Sequence, residues 1–454
     1  MTTPPKPPSR KGRVSLWRYM RLFRNDILSA QPAKLYRAWM AEFKTPFFRS
    51  YLVNDPDLVK EVLNKRPMDF PKSNRVGEGL RPLLGDSVFL TNGATWERQR
   101  RIIDPAFEGG RVRETYGAMA AAVDSGVVRL QAKLAQEAAV EVEAEASFIA
   151  ADVIFRTLFS IPIEDKIASA VFHEFRAYQR SQPILNIAAF VPMPRWMPRL
   201  FRRQTTRSAA VIRGLITQLT QRRLAEIQAG TAPDDLATKI MTTPDPETGA
   251  QFSRDEMVDQ VAIFFLAGHE TSASALAWGL YLLAEYPQWQ AKVVAEVAGF
   301  DGSFEQLAKL KTTRAVFREV LRLYPPVPMM VRQAARPTVF RGRDVKAGSQ
   351  VVLSPWHLHR HEQIWDTPDD FDPSRWDTDN GKRGQRDAYI PFSSGRRVCT
   401  GASFAMVEGV LMLARLVGAF DLSTDACPRP EPVAHLTVRA KNGIWVKMRN
   451  RGRE

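Results

Sequence analysis

Cys399 lies in the stretch FSSGRRVCTG (392–401) and is one of only two cysteines in 454 residues. A thiolate that donates to a metal must be deprotonated at neutral pH, which takes positive potential and hydrogen-bond donors. Arg396 and Arg397 stand close before it. The helical stretch that follows, TGASFAMVEGVLMLARLVGAF, would offer backbone N–H groups and the positive end of its dipole. Gly395 and Gly401 permit sharp turns and close approach of backbone to something large and flat. Arg397 offers a fork for a carboxylate. One thiolate with no second protein ligand nearby suits the proximal ligand of a haem. A buried inert cysteine is the alternative, and it leaves the glycines and arginines without a reason.

Other chemistry-bearing patterns are weaker. HETSA (269–273) lacks the second histidine of HExxH, so a zinc protease is excluded. HLHRH (357–361) holds three of the six histidines. On a strand these would share one face, but with no carboxylate or cysteine pattern beside them a structural role is the better reading. No GxxxxGK[ST], GxGxxG or GxSxG occurs, so phosphate-binding, dinucleotide-binding and hydrolase readings have no support.

The elements that must position the cysteine are mainly helical. Residues 254–285 read as one helix of about 32 residues, roughly 48 Å long. Ser253 with Glu256 forms a capping box at its start, and Pro287 lies just past its end. Further helical stretches cover about 93–160, 165–181 and 199–229. DPDLVKEVLNK reads as a helix capped by Asp55 with Pro56 in its first turn. PFFRSYLV reads as a strand, and short strands are predicted at about 328–353 and 433–449, separated by a Pro/Asp/Gly-rich meander at 363–390. The prediction is a mainly α chain with a small β part: a basic, Pro-rich disordered leader (1–14), then a single domain (15–454).

Composition bounds the function. The chain is 51.3 kDa with 44% hydrophobic and 25% charged residues, ordinary for a globular enzyme. Two cysteines make no disulfide framework, so a reducing, cytoplasmic compartment is expected. The formal charge is +15, of which +7 falls in residues 1–25 and +5 in residues 439–454. The body is nearly neutral, which does not favour a nucleic-acid-binding protein. No apolar run reaches membrane-spanning length. SLWRYMRLFRNDI puts Leu16, Met20, Phe23 and Ile27 on one helical face with Arg18, Arg21 and Arg24 elsewhere; together with the apolar, then basic segment 183–203 it leans towards peripheral membrane-surface contact. Packing on the body is the plainer alternative, and an Arg-rich, acid-free N-terminus also fits a transit peptide.

The cysteine stretch resembles the FxxGxRxCxG signature of the cytochrome P450 superfamily, at Phe392, Gly395, Arg397, Cys399 and Gly401. AGHETS (267–272) resembles its oxygen-binding segment on the long central helix. EVLR (319–322) resembles its ExxR, FDPSRW (371–376) its PERF segment with Ser and Trp as departures, and WERQR (96–100) its WxxxR. These motifs occur in the superfamily's order and span residues 96–401.

The resemblance implies the cytochrome P450 fold, with haem b held between the central helix and the helix after the cysteine loop. Cys399 would be the axial iron ligand, whose electron donation favours O–O cleavage. Phe392 would pack beside the sulfur. Trp96, Arg100, Arg332 and Arg397 would meet the haem propionates, with Arg336 as a rival to Arg332. Glu319, Arg322 and Arg375 would form a buried charge network. Gly268 would leave room for dioxygen, and Glu270 with Thr271 would supply the acid and alcohol that deliver protons. The implied activity is that of a haem-thiolate monooxygenase, monomeric and of soluble bacterial type, acting on a small lipophilic substrate with O2. A separate ferredoxin and ferredoxin reductase would supply electrons. A helical protein that merely holds haem or lipid is the reading from a different class.

Overall fold

The computed structural model describes residues 3–12, 14–45, 48–181 and 203–452. They form two compact units: residues 1–70, 123–149 and 270–454 make the first, and residues 71–122 and 150–269 the second. The apolar stretch 183–203 lies almost wholly outside the described residues.

The long central helix is Arg254–Glu285, 32 residues, and runs from the second unit into the first. Its start is the expected capping box: the Glu256 N–H donates to Ser253 Oγ (3.3 Å), and the Ser253 N–H donates to Glu256 Oε2 (2.9 Å). Pro287 opens the next helix, Pro287–Val297. Asp55 caps Pro56–Lys60 as expected, and the chain then widens into a π turn at Glu61–Lys65. The stretch read as helix over 93–160 is broken. Helices Gly93–Ile103, Tyr116–Leu134 and Val142–Phe159 are separated by a 3-10 turn, Asp104–Phe107, and a short helix, Gly109–Glu114, in one place and by a strand, Ala139–Glu141, in the other. Alternation in a three-residue strand is too short to stand out against helical flanks.

In the first unit, four strands lie in the spatial order Met40–Lys44, Arg49–Val53, Gln350–Leu353, Met330–Gln333. The pair Arg49–Val53 and Gln350–Leu353 is parallel and the other pairs are antiparallel. Tyr51, Val53, Val351 and Leu353 bury their side chains in one cluster with Phe70, Phe340, Trp365 and Trp376. A second sheet sets Trp445–Asn450 between Ala139–Glu141 and Phe420–Ser423. A small hairpin pairs Pro432–Ala434 with Val438–Ala440.

The leader expected to be disordered has a defined path over residues 3–12. The Tyr324 hydroxyl donates to the Pro5 carbonyl (2.8 Å), and Lys6 pairs with Asp369. Leu16–Asn25 is a helix capped by Ser15. Trp17 on it is 82% exposed, whereas Tyr19 stacks on Phe43 at 6.3 Å. One helix among the described residues, Ala402–Ala419, is long and apolar enough to cross a membrane; its window is 56% buried within the protein.

Three charges are buried behind the meander. Glu319 and Arg322 are both fully buried; Arg322 Nη2 lies 2.7 Å from Glu319 Oε1 and Arg375 Nε 3.1 Å from the same oxygen. The guanidinium of Arg322 also donates to the carbonyls of His359, Pro368 and Asp370, and that of Arg375 to Asp366 and Thr367. One carboxylate thus serves two cations, and the cations hold the turns of the meander. Removing the shared carboxylate leaves two buried cations uncompensated, at a cost of about 3–5 kcal/mol. Glu319→Gln should therefore lower unfolding free energy by about that amount in denaturant titration, far more than substitution of an exposed ion pair.

Candidate haem-thiolate site

The cysteine loop is built on Gly395. Its φ is +66°, and a Cβ there would lie 2.2 Å from the Leu63 carbonyl oxygen, so both conformation and proximity demand glycine. Asn64 Nδ2 donates to Ser394 Oγ (3.0 Å) and fixes the same junction. The Cys399 N–H donates to the Phe392 carbonyl (2.9 Å), which closes the loop and brings the half-buried Phe392 beside the cysteine backbone. The Cys399 carbonyl accepts from Ala402 N–H (3.3 Å) at the start of the helix Ala402–Ala419. The Cys399 side chain is exposed and is not in a disulfide. Gly401 differs from Gly395. Its φ is −84°, and a Cβ would meet only Cys399 Sγ, at 3.9 Å. The polypeptide alone does not demand glycine there.

Arg332 and Arg397 are both buried in the first unit. Burial pulls the Arg332 guanidinium down to about 10, and the charge of Arg397 acts in the same direction. Two like charges held together out of water call for an anion. A flat group with two carboxylates, bound beside an exposed thiol, is what this arrangement fits. The choice between the two arginines of VRQAAR is clear: Arg336 is 68% exposed at its side chain and pairs with Asp69, whereas Arg332 forms no ion pair among the described residues. Trp96 and Arg100 belong to the second unit. Trp96 is buried with Lys72 Nζ 5.8 Å and Arg100 Cζ 5.9 Å from its ring, and Arg100 Nε lies 2.9 Å from Asp104.

The central helix presents different residues to different neighbours. Glu270, Ser274 and Trp278 recur at helical spacing and face the strand Val438–Ala440. Ser274 Oγ and Trp278 Nε1 both donate to the Val438 carbonyl, at 2.5 and 3.3 Å. Thr437 Oγ1 donates to Glu270 Oε1 at 2.7 Å, and Arg439 Nη2 lies 3.3 Å from the same oxygen. Glu270 is buried and Thr271 half-buried. On another face Ser272 Oγ donates to Glu408 Oε2 at 2.5 Å. Burial pushes the Glu408 carboxyl up to about 8, so it is mostly protonated at neutral pH. At Gly268 a Cβ would lie 2.3 Å from Ile154 Cδ1, so the missing side chain makes room for Ile154. His269, in the same motif, is buried against Phe265 and Phe172.

The three histidines of HLHRH are structural. They lie in and just after a helical turn, Pro355–Leu358, not on a strand. His357 Nδ1 lies 2.8 Å from Ser354 Oγ, the Ile390 N–H donates to His359 Nε2 (2.9 Å), and His361 stacks on Trp39 at 4.2 Å. Burial pushes His357 and His359 down to about 3, so both stay neutral. No cluster of His, Cys, Asp and Glu suited to a metal ion occurs among the described residues.

A thiol on a glycine-built loop, buried arginines beside it and a capped central helix carrying an acid and an alcohol define a haem-thiolate type of site. The family model described as Cytochrome P450 matches residues 31–448. The chain belongs to the cytochrome P450 family and is an oxidoreductase of the monooxygenase type, with the haem and cysteine-thiolate ligation that the family implies. It is 31% identical over 430 residues to cyclooctat-9-en-7-ol 5-monooxygenase of Streptomyces melanosporofaciens, covering 93% of this chain and 89% of that protein. It is 30% identical to cytochrome P450 4A24 of Sus scrofa (88% and 81% covered) and 28% identical to taurochenodeoxycholic 6 alpha-hydroxylase of Sus scrofa (88% and 81% covered).

Sequence reasoning missed the contacts made by Thr437, Arg439 and Glu408, and that of Ser272 within AGHETS. The first two lie in a short hairpin remote in sequence, and Glu408 reads as one charge in an apolar helix. Because its folded value lies above its unfolded one, Glu408 contributes stability at low pH that is lost as pH rises towards about 8. Glu408→Gln, neutral throughout, should gain on wild type by about 1.4 kcal/mol per pH unit within that window. Unfolding free energy measured across pH checks this.

Proposed function

We propose that Cys399 is the axial ligand of a haem b and that the protein inserts one oxygen atom of O2 into a lipophilic substrate. The observation that carries this reading is the pairing of an exposed cysteine thiol with the buried arginines Arg332 and Arg397. Haem bound there supplies the activation of dioxygen. The chain's own residues do the rest. Arg332 and Arg397 would hold the propionates, a role the family resemblance also implies for Trp96 and Arg100; Phe392 would shield the sulfur; Gly268 shapes the central helix. Thr271 would position dioxygen and Glu270 would resupply protons, since adjacent helix residues point about 100° apart and Glu270 meets Thr437 and Arg439. Apolar substrate contact is supported by Val327, Met329 and Met330, which are half-buried in the first unit. Two relatives named for acting on cyclooctat-9-en-7-ol and a taurochenodeoxycholic compound favour a bulky apolar skeleton.

Electrons come from a separate acidic ferredoxin and its reductase. The docking face is the helix Asp379–Ala388 with Arg396. Gly381 and Gly384 seat that helix against Arg375 and Trp365, where a Cβ would collide, and Lys382, Arg383 and Arg386 point outward. Arg98 and Arg101 are tied to Glu256 and Asp245 at 2.6 Å and are not part of that face. The protein acts as a monomer in the cytoplasm, with Trp17 and its neighbouring arginines able to touch a membrane surface.

Cys399→Ser should abolish the red-shifted Soret band of the reduced carbon monoxide complex, and Cys427→Ser should leave it unchanged. Thr271→Ala should keep that band but divert reductant to hydrogen peroxide, lowering product per reductant consumed; full coupling in Thr271→Ala would overturn the role of the pair. Reduction by an acidic ferredoxin should slow as salt rises, and charge reversal at Lys382 and Arg386 should slow it at low salt.

A further inference from the structure

The guanidinium that meets Glu270 has a second partner. Arg439 Nε lies 3.5 Å from Glu143 Oε1, while Arg439 Nη2 lies 3.3 Å from Glu270 Oε1. All three residues belong to the first unit. The strand that carries Arg439 is pinned to the central helix through the Val438 carbonyl, so the guanidinium is set between the two carboxylates by backbone anchoring. The Ala440 N–H reaches the other oxygen of Glu143 at 3.5 Å. The Arg439 side chain is 32% exposed and that of Glu143 18%, so the far end of the cluster borders solvent while Glu270 is buried.

We propose that Glu143 is a positioning residue for Glu270, acting through the guanidinium that the two carboxylates share. With Glu143 ionised, Arg439 is divided between two anions and its hold on Glu270 weakens. With Glu143 neutral, Arg439 closes on Glu270 and holds it against Thr437. The proposal rests on the reading of Glu270 as the proton-supplying acid.

The groups facing Glu143 set where this switch turns. Burial raises its carboxyl to about 7; Arg439 opposes that rise, and the negative charges of Glu141 and Glu270 add to it. Glu141 is itself occupied, accepting from the N–H groups of Glu143, Ala144 and Ile444. His435 also senses Arg439 and Glu270, but burial lowers it and keeps it neutral at the pH where Glu143 titrates. Burial thus brings the carboxyl of Glu143 into the neutral range.

The test measures product per reductant and turnover in the holoenzyme from about pH 6 to about pH 9, either side of the Glu143 value. Wild type should show a several-fold rise through neutrality. Glu143→Gln should lose the rise and stay at the low-pH level, and Arg439→Gln should lose it and stay at the high-pH level. Retention of the rise in Glu143→Gln overturns the proposal. A readout independent of turnover is the double-mutant cycle of E143Q and E270Q on thermal stability of the holoenzyme. Coupling between the two should be present at about pH 9 and vanish at about pH 6; equal coupling at both overturns the proposal as well. If Glu270→Gln keeps wild-type turnover, the proton-supplying role of Glu270 fails whatever the cycle shows. If Glu270→Gln slows turnover while Glu143→Gln keeps the pH rise, the positioning role of Glu143 alone fails.

Discussion

The carboxylate of Glu319 is the constraint on which the rest of the first unit depends. A fully buried anion is tolerable only with its charge matched and its lone pairs filled. Here Arg322 and Arg375 meet that demand together, and each spends its remaining donors on carbonyls of the segment between His359 and Asp370. The consequence is positional. An irregular stretch with no ladder of its own gains the rigidity of a strand, because its carbonyls end on fixed cations. The helix Asp379–Ala388 and then the cysteine loop follow that stretch in the chain.

The central helix is the second organising element, and it works by division of labour. One face is fastened to the strand Val438–Ala440 by Ser274 and Trp278, and another to the helix Ala402–Ala419, where Gly279 stands 3.2 Å from Leu413 at its Cβ position. A helix fixed on two sides cannot rotate. The direction in which Thr271 points is then decided by residues one turn away, and the buried Glu408 adds a neutral tether from the cysteine-side helix to Ser272.

Local rules made much of this legible beforehand. The capping box at Ser253, the Asp55 cap and the proline at 287 each act over four residues or fewer, so sequence spacing suffices to place them. The cysteine stretch, ExxR and AGHETS were legible as a resemblance, because each is a short run with fixed spacing. What escaped was of two kinds. The strands Ala139–Glu141 and Phe420–Ser423 owe their existence to pairing with Trp445–Asn450, which lies far along the chain from the first of them. Arg439, Thr437 and Glu408 gain their chemistry from side chains more than 130 residues away in sequence. Arg98 and Arg101 show the converse: nothing in the sequence reveals that in the fold they are spent on Glu256 and Asp245.

The junction at Gly395 also says something about synthesis. The loop that carries Cys399 is completed by backbone near Leu63 and Asn64, 330 residues earlier in the chain. During translation that early segment must wait, with its docking surface exposed, until some 330 further residues have emerged. Contacts of such sequence separation form late, because the loop they close is entropically expensive. The junction that shapes the loop of Cys399 is therefore among the last of these contacts to form.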